Sequence, residues 1–142
     1  MTREDIQAFT VRFVEAWERG DSRALAASYT DIASVESPLL GKRKGRDEIE
    51  ASFRDLFRVF ARWHIAIDDT VVDADGARAV LLTTAQATHV GDLFGYPGSS
   101  RQFTLKTALV FEFDKVRIAS EIRLYDFTGL LVELGVLRAK KR

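Results

Sequence analysis

The sequence predicts an α+β protein, and three observations carry that expectation. Through roughly the first sixty residues, apolar side chains recur every three or four positions; from Trp63 onward the repeat shortens to two and β-branched residues accumulate. With 142 residues, 46% of them hydrophobic and 11% aromatic, the chain has apolar material for one core and too little length for two, so residues 1–142 read as one domain. Helices gathered ahead of strands argue for segregated layers instead of alternating βαβ units.

The first stretch, "TREDIQAFTVRFVEAWERGD", sets Thr2 and Asp5 at capping-box spacing and Ile6, Phe9, Phe13 and Trp17 along one face, so a helix ending at Gly20 is expected. Asp21 and Ser22 can cap a short second helix, after which "IASVESP" reads as a strand stopped by Pro38. The segment "LLGKRKGR" reads as a solvated polar turn; it lacks the Lys-Ser or Lys-Thr ending of a phosphate-binding loop. In "DEIEASFRDLFRVF" the stripe Ile49, Phe53, Leu56, Phe57 and Phe60, with Asp47 and Glu48 at the start, predicts a third helix. Four strands follow, in "WHIAIDDTVVD", "ARAVLLTTAQATHV", "RQFTLKTALVFEF" and "VRIASEIRLYDF". The tail "TGLLVELGVLRAKKR" spaces its leucines helically and closes in cations.

Lys+Arg and Asp+Glu are equal at 21 each, which removes the positive field that nucleic-acid or anionic-membrane binding would use. With no cysteine there is no disulfide, thiolate nucleophile or Cys-based zinc site, and the two histidines, His64 and His89, with no clustered carboxylates, supply no metal-ligand pattern. No apolar run is long enough to span a bilayer, so a soluble, cytoplasmic protein without metal or cofactor is expected.

Strand parity sorts the inner face. Phe103, Leu105, Thr107, Leu109, Phe111 and Phe113 form one row, and Leu81, Thr83, Ala85, Ala87 and His89 another; small Ala85 and Ala87 opposite phenylalanines leave a tight contact or a vacancy. In the last strand the apolar row Ser120, Ile122 and Leu124, ending in Asp126, is expected inside, with Glu121, Arg123 and Tyr125 outside. The loop "HVGDLFGYPGSSR" carries Leu93, Phe94 and Tyr96 among turn residues, as a cover over an apolar cavity would.

The strings "ERGD", "YTDIASVESPLLGKRKGRDEIEASFRDLF", "HxGDLFGYP" and "EIRLYDFTGLLVELG", in this order, resemble the nuclear transport factor two-like superfamily, in its SnoaL-like polyketide cyclase and ketosteroid isomerase branches. The resemblance covers almost the whole chain. It implies a cone-shaped, strongly curved mixed or antiparallel sheet wrapped around three N-terminal helices, an apolar cavity, and a homodimer across the outer sheet face. It also implies where chemistry fails: the isomerase tyrosine, general base and protonated acid would fall at Phe13, Ser37 and Leu109, none of which can serve. The cyclase acid and base would fall at Asp126, and its assisting histidine at Phe111.

Asp126 is therefore the first candidate for proton transfer, with capping of the final helix as the plain alternative. His89 is the second, against a histidine that merely ties the loop to its strand. Phe13, Trp17, Tyr29, Phe53, Phe57, Leu93, Phe94, Tyr96, Phe103, Leu109 and Phe111 are the expected ligand walls, although aromatics at helical spacing are more often ordinary core. Arg123 is expected in a salt bridge at the dimer interface. Two functions follow: a small apolar-ligand protein acting as a cofactor-independent isomerase or cyclase on a polyketide-like or terpenoid-like carbonyl compound, or a non-catalytic binding or dimerisation module.

Overall fold

The structure, a computed structural model, describes residues 1–73, 75 and 77–138. Ala74 and Gly76 of the "DADGA" turn and the cationic end Lys140, Lys141 and Arg142 lie outside the described residues. Among the described residues, four helices and six strands follow in the order α1 (Arg3–Glu18), α2 (Ser22–Ala26), β1 (Tyr29–Ser37), β2 (Gly41–Lys44), α3 (Arg46–Val59), β3 (Phe60–Asp73), β4 (Arg78–His89), β5 (Gln102–Asp114), β6 (Arg117–Leu124) and α4 (Phe127–Glu133). The strands form one sheet in the order β2-β1-β6-β5-β4-β3, parallel only between β1 and β6. The α+β expectation, with a mixed sheet over the early helices, holds.

Local chemistry accounts for the helix ends. Thr2 and Asp5 form the reciprocal capping box of α1, and the Asp21 carboxylate accepts the Ala24 N–H to start α2. Three details depart from the sequence reading. The polar "GKRK" segment is the short edge strand β2, paired with Ser34–Ser37; β3 begins at Phe60, not Trp63; and α4 stops at Glu133, where Gly135 takes φ +77° and ends the helix before the cations.

The concave face holds the core. Rings of α1 and α3 interlock with those of β5: Phe13 meets Phe111 edge-on at 5.4 Å, Trp17 meets Phe53 at 5.1 Å, and Phe9 meets Phe113 at 5.2 Å. Phe103, Leu109, Phe111 and Phe113 of β5, and Leu81, Thr83, Ala85, Ala87 and His89 of β4, point inward as parity required.

β6 is different. Its ladder with β5 slips between the Glu112–Ser120 and Phe113–Ile118 pairs, leaving Ala119 as an extra residue. Ile118 therefore faces in, and beyond the bulge Glu121 and Arg123, opposite Phe111 and Leu109, face in as well. The expected assignment is inverted: Ile122 and Leu124 are on the outside, and Glu121, Arg123 and Tyr125 are turned toward the core.

The loop from His89 to Arg101 is staked to the junction of α3 and β3. Val90 and Gly91 N–H groups both donate to the Val59 carbonyl, at 2.8 and 3.0 Å, and Leu93 and Tyr96 close a tight turn on each other. Any Cβ on Gly91 would overlap the Arg58 carbonyl, backbone that cannot step aside. Gly91→Ala is expected to destabilise the protein by roughly 1–3 kcal/mol through this overlap, read as a lower urea midpoint at an unchanged slope.

Candidate functional site

Between the helices and the inner sheet face lies a cavity of about 70 Å³, walled almost entirely by apolar side chains. Phe13 and Trp17 of α1 form one wall; Phe60, Trp63 and Ile65 of β3, Ala85 of β4, and Phe103, Leu105 and Leu109 of β5 form the others. Ala85, the small side chain that parity turned inward, lines the cavity beside its cross-strand partner Leu105, whereas Ala87, opposite Phe103, does not. Leu39, Leu40, Ile65 and Leu105 of the lining are only half-buried.

The β1–β2 turn and α4 complete the lining. Pro38 ends β1, the Leu39 N–H donates to the Tyr125 hydroxyl at 3.1 Å, and the Leu40 N–H donates to Ser37 Oγ at 3.1 Å. These bonds hold Leu39 and Leu40 across the space, and Leu130 closes in from α4. The loop expected to be the lid is not part of the lining: Leu93 is buried in the core, while Phe94 and Tyr96 are 64% and 48% exposed. Its apolar residues divide between seating the loop and meeting solvent.

Of the expected ligand walls, Phe13, Trp17, Phe103 and Leu109 line the cavity. Tyr29, Phe53 and Phe111 are fully buried behind that lining, and Phe57 packs on the Gly20 and Trp17 side of α3. Asp126 is exposed and serves as the N-cap of α4, its carboxylate accepting the Gly129 N–H at 2.8 Å. It sits outside the cavity because β6 ends at Leu124, and because past the bulge its parity is that of the outward-facing Ile122 and Leu124. His89 is buried beside Phe60; Ser99 N–H donates to its Nδ1, and it too stands outside the lining. No group of three or more His, Cys, Asp or Glu able to hold a metal ion occurs among the described residues.

The polar chemistry of the site comes from residues assigned to the outer face. Arg123 lines the cavity with its guanidinium carbon 5.0 Å from the Trp17 ring centre and 4.9 Å from that of Phe53. Arg123 Nε donates to Glu121 Oε2 at 2.8 Å and Nη2 to Oε1 at 3.3 Å, with side-chain exposures of 4% and 0% for the two residues. The Tyr29 hydroxyl donates to the same carboxylate in a short hydrogen bond. Burial, the largest single influence, would lower the Arg123 guanidinium, but the Glu121 charge together with the Tyr29 interaction and the hydrogen bonds to both holds the group above the ordinary arginine value. Among the described residues neither Arg123 Nη1 nor Trp17 Nε1 has an acceptor, although both side chains line the cavity.

Across the same inner face, the Thr83 and Thr107 hydroxyls bond each other, and Tyr125 adds a phenol pushed above its usual range, first by burial. Among the described residues no carboxylate or imidazole is in the lining. The arrangement can therefore donate hydrogen bonds to an oxygen and exclude water from it, but holds no proton acceptor free to work.

Comparison with known proteins gives a consistent picture. The family model of the SnoaL-like polyketide cyclases matches residues 8–134. Among solved structures, TsrD from Streptomyces laurentii is similar at 26% identity and a TM-score of 0.82, covering 96% of this chain and 99% of that one. An NTF2-like protein of unknown function from Burkholderia pseudomallei matches at 25% identity and 0.76, over 92% and 96% of the two chains. A proposed polyketide cyclase from Pseudomonas putida matches at 20% identity and 0.77, over 94% and 98%. No curated protein matches the chain in sequence.

Tyr29 supplies a test of the buried array. Burial first, and the Glu121 charge second, raise its hydroxyl well above the ordinary phenol range. The folded state thus favours the protonated form, so this contribution is whole below the unfolded value of about 10 and is lost as pH climbs toward the folded one. The melting temperature should hold up to about pH 10 and fall above it, with a shallower fall in Tyr29→Phe; circular dichroism melts across the alkaline range measure both.

Proposed function

The chain belongs to the SnoaL-like polyketide cyclase family, and from that premise we propose that its cavity binds a small, largely apolar carbonyl compound whose oxygen is held by Arg123 Nη1. The observation that carries this reading is a guanidinium with an unused donor, buried among aromatic rings, in a lining that is otherwise greasy. A carbonyl there gains a charge-assisted hydrogen bond in surroundings where water does not compete. The size of the space supports a modest ligand: about 70 Å³ is below the roughly 150 Å³ of a cavity that takes up benzene. A ring must therefore either displace the Leu39–Leu40 turn or leave part of itself in the mouth.

Catalysis in such a site is electrophilic. Where the ligand contains its own activated carbon nucleophile, folding it against the aromatic walls and polarising its carbonyl on Arg123 is cofactor-independent cyclase chemistry. The absence of any lining carboxylate or imidazole favours the second reading, a binding protein without turnover, for ligands that need a base. Asp126 belongs to α4 in either case.

We further propose that a second copy of this chain covers the outer sheet face. Two cross-strand rows are apolar there, Leu82–Ala108–Leu124 and Val80–Val110–Ile122, with Leu124 54% exposed. A contiguous apolar area over three strands marks an interaction surface.

Both tryptophans, Trp17 and Trp63, line the cavity, so intrinsic fluorescence reports directly on it. Titration with cyclohexyl methyl ketone should change the emission saturably. Ala85→Phe, which fills the space, should abolish that change; Glu121→Gln combined with Arg123→Gln should weaken binding about tenfold, and Asp126→Asn should leave it alone. Saturable binding that survives Ala85→Phe would place the ligand elsewhere. For the assembly, sedimentation should find a dimer at micromolar concentration and Leu124→Glu should convert it to monomer; a monomeric parent protein rules the interface out.

A further inference from the structure

An arginine in a pocket ordinarily attracts anions, and the buried array around Arg123 points the other way. Resting on the cavity reading above, we propose that Glu121 sets the charge class of the ligand: with it in place, the cavity takes a neutral oxygen acceptor and turns away a carboxylate.

The argument is a count of charge in a place where charge is expensive. Arg123 is the one cation in the lining among the described residues, and Tyr125 is neutral at ordinary pH. Glu121, with a fully buried side chain, already faces Arg123 through both of its oxygens. Tyr29 spends its hydroxyl proton on the same carboxylate. The array is thus electrically closed before any ligand arrives. A carbonyl at Nη1 adds a hydrogen bond and no charge. A carboxylate at the same atom places a second anion beside Glu121, with one cation shared between them and only aromatic and aliphatic walls in place of its hydration shell. Among the described residues no second lining cation is at hand to offset that penalty.

Glu121 does not line the cavity, so it acts through Arg123 and is a specificity-determining residue at one remove. Removing its charge should reverse the preference, because Glu121→Gln leaves Arg123 as an uncompensated cation whose best available partner is a ligand anion.

The test uses two molecules of nearly the same shape, cyclohexyl methyl ketone and cyclohexanecarboxylate, measured by calorimetry at pH 7. The unmodified protein is expected to bind the ketone at least tenfold more tightly than the carboxylate. Glu121→Gln is expected to bind the carboxylate at least tenfold more tightly than the unmodified protein does, and to gain melting temperature when the carboxylate is added. Since the substitution removes one partner of a buried pair and can prevent folding, the comparison in the unmodified protein decides the matter without it. Equal affinity for the two molecules in the unmodified protein overturns the inference and leaves the cavity reading standing. A folded Glu121→Gln protein that still refuses the carboxylate overturns it too. Binding of neither molecule to the unmodified protein overturns the cavity reading, and this inference with it.

Discussion

The structure turns on a carboxylate and a guanidinium that share the inside of a sheet with phenylalanines. Glu121 and Arg123 are tolerable there only as a set, each answering the other's charge while Tyr29 completes the carboxylate's hydrogen bonding and Trp17 and Phe53 cover the guanidinium faces. One extra residue, Ala119, delivers them. Without that bulge β6 would present Ile122 and Leu124 to the core, and the cavity would have no charged group in its lining among the described residues. The same bulge places Ile122 and Leu124 on the outer face, so the inner polar array and the outer apolar surface have a common local origin.

Much of the fold was legible in the sequence because its signals were local. Capping by Thr2 and Asp21, the ring stripes of α1 and α3, and alternation along β4 and β5 each depend on neighbours a few residues away. Alternation along β4 left a tight contact or a vacancy open at Ala85 and Ala87, and of the two only Ala85 lines the cavity. What failed was β6, where alternation was read through a bulge. A bulge leaves no mark in composition, and an apolar row is the ordinary sign of a core face; only pairing with β5 and β1 reveals that parity changes at Ala119.

The candidate site was legible in its walls and not in its chemistry. Phe13, Trp17, Phe103 and Leu109 were found from periodicity, whereas Arg123 and Tyr125 were set aside as surface. Asp126 and His89 were weighed as proton carriers against a cap and a loop tie; both meet the plainer description, since Asp126 receives the Gly129 N–H and His89 receives Ser99. The loop after His89 illustrates a related limit. Apolar residues in a loop show that something is covered, but not what: here Gly91 lets the chain press against Arg58, and that contact directs Leu93 into the core at the α3–β3 junction. The cavity is lined instead by Leu39 and Leu40 of a three-residue turn, which the sequence reading took as the start of a solvated polar turn.

The parallel pairing of β1 with β6 has a kinetic consequence. Tyr29 and Glu121 meet across 92 residues, and every ladder bond that joins the two halves of the sheet spans a comparable stretch of chain. Loop closure over such separations is slow compared with hairpin growth, so β3, β4 and β5 can zip together while β1 and β2 wait. The charged array and the finished sheet both depend on β6, and a ribosome-bound chain lacking that final strand would have neither.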